Sequence, residues 1–273
     1  FINVTYHREE FMYKKRKKGF LEKISIKKRP GTVGICAAIM NKYHIETVPH
    51  LICGGFSKEE TENALIDLNF LGIKNVLALR GDAIKTEANF IPEPDGNEHA
   101  VDLVKQVVDL NNGRYLDEDI NNPAPTDFCI GVAGYPEKHF EAPNMESDMK
   151  YLKQKIDAGA EYIVTQLFFD NKKYFDFVEL CKKHDINVPI IPGLKPLTQK
   201  RHLQFLPKFF KIDIPDALAK EVEKCKTNEE AAQIGVEWSA MQAKELAQHN
   251  VPCIHFYTMG KSTAVKSIAK EVF

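Results

Sequence analysis

Seven short apolar runs, rich in β-branched and aromatic residues, punctuate the chain at Phe1 to Val4, Val48 to Cys53, Val76 to Leu79, Cys129 to Ala133, Tyr162 to Thr165, Pro189 to Pro192 and Ile254 to Tyr257. Runs this short read as strands. The intervals carry helix-period patterns. Ala64, Leu65, Leu68 and Leu71 share one face behind a capping box at Ser57 and Glu60 and stop at Gly72, and a second pattern runs from Asp148 to Ala158 and stops at Gly159. Strands alternating with helices, without a break in composition, predict a parallel sheet with crossover helices in one domain spanning 1–273.

A doubly wound sheet and a (β/α)8 TIM barrel both fit that alternation. No GxGxxG follows any strand, so a dinucleotide-type start is unsupported. Ionisable and polar residues gather instead where the runs end: Thr5-Tyr6-His7, His50, Arg80-Gly81-Asp82, Tyr135-Pro136-Glu137, Gln166, Lys195 and Tyr257. Barrel enzymes keep their chemistry at that face. The expectation is a (β/α)8 barrel with seven of its eight strands visible; because the chain opens on Phe1 inside a strand, the eighth is expected upstream. Asn89 to Asn97 and Asn111 to Thr126, rich in Pro, Asn and Asp, are expected to be surface loops.

The charge balance is even, 37 Lys+Arg against 38 Asp+Glu, which argues against a nucleic-acid partner led by phosphate contacts. No apolar stretch approaches the length of a membrane span, and the N-terminus lacks a signal layout, so a cytoplasmic protein acting on a small molecule is expected. Cys36, Cys53, Cys129, Cys181, Cys225 and Cys253 stand singly and are expected to be reduced and mostly buried.

Among candidate residues, Arg80 and Asp82 could close a βα turn as a local ion pair or serve a site. His50 sits among apolar neighbours as a core histidine would. Tyr135, Glu137 and His139 form a dense strand-end cluster with no metal-ligand spacing. Gln166 offers a donor and an acceptor to a flat heterocycle, while Phe168 and Phe169 beside it are expected in the core. Lys150, Lys153 and Lys155 read as the solvated face of a helix.

Taken together, VTYH (4–7), PHL (49–51), ALRGD (78–82), AGYPEKHFEA (133–142), DAGAEYIVTQLFFD (157–170), IIPGLKP (190–196) and HFYTMGK (255–261) resemble the methylenetetrahydrofolate reductase family in order and along the whole chain. The resemblance implies a (β/α)8 barrel that binds FAD and passes hydride from NADH or NADPH through it to methylenetetrahydrofolate. Carried over residue by residue, it places Thr5, Tyr6, His50, Arg80, Gly81, Asp82, Ala100, Tyr135, His139, Ala142, Asp148 and Lys155 at the cofactors, with Thr5 near the nicotinamide. It gives Asp82 and Gln166 catalytic roles and sets Asp82, Gln166, Tyr257 and Lys261 at the folate. A homo-oligomer is expected, its order not fixed by the sequence.

Three departures accompany it. Tyr151 and Gln154 stand where some members carry Asn and Arg on the FAD-binding helix, Lys261 replaces an arginine, and the family's general-acid glutamate is expected upstream of Phe1. The chain as given is therefore expected to reduce no folate. The other readings are a flavin-free lyase or aldolase forming a Schiff base on Lys195, and an inactive FAD-binding fragment.

Overall fold

The computed structural model describes residues 1–6, 11–25, 30–83 and 89–273. In chain order its strands are β1 (Ile2–Val4), β2 (Phe11–Lys15), β3 (Leu21–Ser25), β4 (Thr47–Ile52), β5 (Asn75–Leu79), β6 (Cys129–Gly134), β7 (Tyr162–Leu167), β8 (Ile190–Leu194) and β9 (His255–Phe256). Its helices are α1 (Thr32–Tyr43), α2 (Lys58–Phe70), α3 (Ala100–Asn111), α4 (Met145–Asp157), α5 (Asn171–Lys183), α6 (His202–Phe210), α7 (Asp216–Lys224), α8 (Asn228–Gln248) and α9 (Thr263–Val272). The chain has the α/β architecture of the TIM-barrel type: β1 and β4 to β9 follow one another in chain order through a seven-stranded sheet, so every apolar run named from the sequence is a strand of it.

The chain divides into two compact units, one of residues 1–132 and 157–160, the other of 133–156 and 161–273. In the first, Ile2 lies opposite Thr47, His50 opposite Leu77 and Val76 opposite Ile130, all in parallel register. Leu65 and Leu68 of α2 and Leu103, Val104 and Val107 of α3 are fully buried, as are Val76, Ala78 and Val132 of the strands. Strands lined by apolar side chains on consecutive positions are what a sheet covered by helices requires. The capping box is formed, with the Ser57 hydroxyl accepting from the Glu60 N–H and the Glu60 carboxylate from the Ser57 N–H. Gly72 (φ 75°) lets the chain turn after α2.

The hairpin of β2 and β3, with Phe11 opposite Ser25 and Lys15 opposite Leu21, is an element the sequence reading did not anticipate. It interrupts the connection from β1 to α1.

In the second unit β8 pairs in parallel with β7 and with β9. Leu167, Phe169, Leu197, Leu206, Leu218 and Val222 form one apolar cluster, joined by Trp238, whose indole N–H donates to the Phe169 carbonyl (2.9 Å). Phe168 and Phe169 are both buried, as expected. Among the described residues no helix is long and apolar enough to cross a membrane.

Candidate functional site

Within the first unit, Thr5 and Tyr6 stand just past the carboxyl end of β1 and Arg80 to Asp82 just past that of β5, while His50 lies within β4. Tyr6, two residues past β1, sets its ring edge-on to Phe56 at 4.7 Å; burial raises its phenol, with the Glu60 and Asp67 charges adding to the effect. Thr5 is exposed, and its carbonyl accepts from the Thr32 hydroxyl (3.1 Å). Arg80 follows β5 directly. Its carbonyl accepts the N–H groups of Cys53 and Gly54, and its guanidinium lies 4.9 Å from the centre of the Phe90 ring. Asp82 is exposed and makes no ion pair among the described residues, so the local Arg80–Asp82 pair is not formed. Gly81 has φ 86°, a left-handed conformation, and a Cβ there would stand 3.3 Å from that of Ile52. A side chain at this position would meet both obstacles. His50 is half-buried in β4, and Ala100 is the first residue of α3.

In the second unit the segment after β6 is folded around α4. The Asp148 carboxylate accepts the His139 N–H (2.8 Å), and His139 sets its ring edge-on to Tyr135 at 4.6 Å. Lys138, at φ 77°, turns its ammonium back to the carbonyls of His139 (2.9 Å) and Ala142 (2.5 Å). Lys155 departs from the solvated face expected of it. Its ammonium donates to the Ala133 carbonyl at the end of β6 (2.7 Å), and burial lowers its pKa to about 8 against the pull of Asp148. Lys150, by contrast, is exposed. Glu137 accepts the Asp213 N–H (2.7 Å), and burial raises its carboxyl despite that bond.

Gln166 owes its setting to an irregularity. Val164 pairs with Ile191 and Leu167 with Gly193, so two residues of β7 face one of β8. Such a bulge breaks strict alternation and re-aims the side chain it carries. Thr165 is buried and both its oxygens are engaged: its hydroxyl accepts the Gly193 N–H (2.9 Å), its carbonyl the Tyr257 O–H (2.8 Å). The Gln166 amide oxygen accepts the Leu167 N–H (2.9 Å), and its NH2 group keeps two protons to donate. Tyr257, whose phenol is strongly raised by burial, and Lys195, buried just past β8, end this unit's strands, and Lys261 lies exposed in the following turn. His202, the first residue of α6, was not singled out in the sequence. Its signal was only the Lys200-Arg201-His202 run after the β8 strand.

A parallel α/β sheet whose ionisable and aromatic side chains stand at the carboxyl ends of its strands defines the class: an α/β protein laid out as barrel enzymes are. Its family follows from comparison with known proteins. Residues 1–272 match the family described as methylenetetrahydrofolate reductase, and the chain belongs to it. It is 35% identical over 238 residues to methylenetetrahydrofolate reductase (NADH) 1 of Arabidopsis thaliana, covering 84% of this chain and 38% of that protein. To the 5,10-methylenetetrahydrofolate reductase of Pectobacterium carotovorum subsp. carotovorum it is 30% identical, covering 86% of this chain and 72% of the relative. The chain thus spans well under half of the plant relative's length. Among solved structures, an uncharacterized protein from Clostridium thermocellum that binds two copies of 5-methyl-5,6,7,8-tetrahydrofolic acid superposes with a TM-score of 0.54 at 18% identity, over 86% of this chain and 76% of that one. At that identity the likeness concerns the fold.

Proposed function

We propose that this chain carries the flavin-dependent reduction of 5,10-methylenetetrahydrofolate to 5-methyltetrahydrofolate, with NADH or NADPH as donor in a ping-pong relay. The observation that supports it most is the family match along the chain, joined to side chains of the implied kinds at the implied strand ends. The donor set suits FAD. In the first unit Arg80 supplies a cation, the bare backbone at Gly81 an N–H and Tyr6 a ring, beside Thr5, His50 and Ala100; in the second Lys155 supplies a cation and Tyr135 and His139 supply rings, beside Ala142 and Asp148; cations and N–H groups are what a diphosphate calls for, and rings suit flat heterocycles. When bound, the flavin accepts a hydride from the nicotinamide and gives it to the folate.

The chain's own groups would do the rest. Asp82 would set a negative charge beside the flavin's pyrimidine end and the pterin, disfavouring an anionic ring. Gln166 would offer its NH2 group as donor to whichever of nicotinamide or pterin is in place, its oxygen being already engaged by Leu167. Tyr257 and Lys261 would border the folate.

The test is to incubate the purified protein with FAD, record its visible spectrum, and follow methyltetrahydrofolate formation with each nicotinamide donor. Flavin retention and reduction of the flavin by a nicotinamide donor are expected of the chain as given, and folate turnover with parallel double-reciprocal lines once the general-acid glutamate that the resemblance implies is supplied. A protein that takes up no flavin, or that forms no folate product even with that glutamate supplied, overturns the proposal.

A further inference from the structure

The hairpin of β2 and β3 stands apart in charge and in exposure together. Its fifteen residues, 11–25, hold six of the chain's 37 cations, five of them consecutive at Lys14-Lys15-Arg16-Lys17-Lys18, and one of its 38 carboxylates, Glu22. Outside it carboxylates outnumber cations. Glu22 is taken by Arg16, whose Nε donates to it (2.5 Å), and among the described residues Lys14, Lys15, Lys17 and Lys18 pair with no carboxylate.

Every residue from Met12 to Lys23 is exposed, so neither face of this ribbon is packed against a core. Apolar side chains share that exposure, Tyr13 at 64%, Phe20 at 69% and Leu21 at 59%. Residues directly opposite in an antiparallel pair lie on the same face. Tyr13 is opposite Lys23 and Lys15 opposite Leu21, so one face mixes apolar and cationic side chains with no carboxylate among them, while Glu22 and Lys14 opposite it belong to the other. The turn Lys17–Gly19 adds two cations and is followed at once by Phe20. A two-stranded ribbon is marginal in water on its own, and lysines along exposed edges keep such ribbons from pairing with one another. That duty explains the lysines but not the exposed Tyr13, Phe20 and Leu21, which work against it.

We propose that this face and its turn form a docking surface for an anionic lipid bilayer. The rings and the leucine reach the boundary between headgroups and acyl chains, and the lysine stems lie along it with their ammonium groups among the lipid phosphates. Apolar contact and charge attraction add, and both occur here within one hairpin. Each cation near an anionic surface strengthens binding by roughly fivefold, and the negative remainder of the chain orients the approach hairpin first. A single-stranded nucleic acid or an acidic peptide would use the cations but leave Leu21 without a role. Five of the six cations are lysines, point charges suited to a diffuse headgroup layer rather than to forked recognition of one group. The proposal involves none of the strand-end residues and does not depend on flavin or folate.

The experiment sediments the purified chain with vesicles of phosphatidylcholine alone and of equal parts phosphatidylcholine and phosphatidylglycerol, in buffers of low and near-physiological salt. Two variants run beside the parent: Lys15→Gln with Lys17→Gln and Lys18→Gln, which removes charge, and Phe20→Ser with Leu21→Ser, which keeps it. All five positions are exposed, and an unchanged Tm confirms that each variant folds. The parent is expected to bind the mixed vesicles and not the neutral ones, more weakly at the higher salt. Each variant should bind about tenfold or more weakly. Phe20→Trp, added as a reporter, should shift its emission to the blue with the mixed vesicles alone.

A parent that stays in the supernatant with the mixed vesicles overturns the inference and leaves the lysines as guards of the ribbon's edges. So does unchanged binding in either variant, since the first would show that the cations play no part and the second that charge alone holds the chain. Polyuridylate and polyglutamate are added in turn to the vesicle-bound parent. Complete displacement by either, at charge well below that of the lipid, makes a nucleic acid or an acidic peptide the occupant and equally overturns the proposal. Should the triple variant fail to fold, the Phe20 and Leu21 pair and the Phe20→Trp emission still decide the matter.

Discussion

At the scale of single residues, the ends of β7, β8 and β9 combine buried polar groups with histidines that resist protonation. His255 sets its ring edge-on to Tyr257 at 4.6 Å, and burial lowers its pKa to about 4. In the unfolded chain the same imidazole takes up a proton near 6.5. Between those values the unfolded state binds more protons than the folded one, so stability is complete above about 6.5 and falls as the pH drops towards 4. His202 acts in the same direction. Replacing His255 by Gln is expected to flatten the acid limb of a stability profile by about 1 to 2 kcal/mol, allowing for solvent screening, as read by urea unfolding at pH 7 and pH 5. An identical pH slope in variant and parent would show that His255 does not titrate as described. Which residues stand at strand ends was legible in the sequence, because each closes an apolar run. The orientation of Gln166 was not, since it depends on the register of β7 against β8 and on the bonds of Thr165. The inward turn of Lys155 was equally hidden, because amphipathic spacing counts charges on a face and not where a long side chain ends.

At the scale of elements, the readable features were those with local chemistry. The capping box of α2 is a four-residue signal, and Ser57→Ala is expected to cost about 1 kcal/mol, measurable as a lower denaturation midpoint with unchanged slope. The hairpin of β2 and β3 escaped for a physical reason. Met12 and Tyr13, adjacent in β2, are both exposed, as are Leu21 and Lys23 of β3, so no buried face imposes alternation on its sequence. Gly235 in α8 shows how a residue unfavourable to its own element can be required by a neighbour. Glycine within a helix is weaker than alanine, yet a Cβ at Gly235 would fall on the Leu197 carbonyl. Gly235→Ala should therefore destabilise by about 1 to 3 kcal/mol despite its better propensity, and a raised Tm would mean that α8 can move away from Leu197 without cost.

At the scale of the whole molecule, the strand and helix alternation was legible because it is written in apolar periodicity, whereas the bulge of β7 against β8 needed coordinates. The cysteines are a case where sequence and structure address one question in different terms. Isolated spacing predicted thiols that behave as small hydrophobes, and all six are thiols, with Cys36, Cys53, Cys181 and Cys225 buried and Cys129 and Cys253 half-buried. Burial pushes Cys53 and Cys181 up to about 12 and also raises Cys36 and Cys253. A thiol must lose its proton to attack a disulfide reagent, and it must be reachable. At a pH of about 8, where an ordinary thiol is partly ionised, the folded protein should therefore give at most two rapidly reacting thiols, those of Cys129 and Cys253. In denaturant all six should react. Because no crosslink restrains the unfolded chain, Tm should be the same with and without a reducing agent. The decisive measurement is the stoichiometry of fast labelling in the native state: labelling of any of the four buried thiols at the native rate would show that the sheet or the helices covering it open far more readily than their closed apolar packing implies.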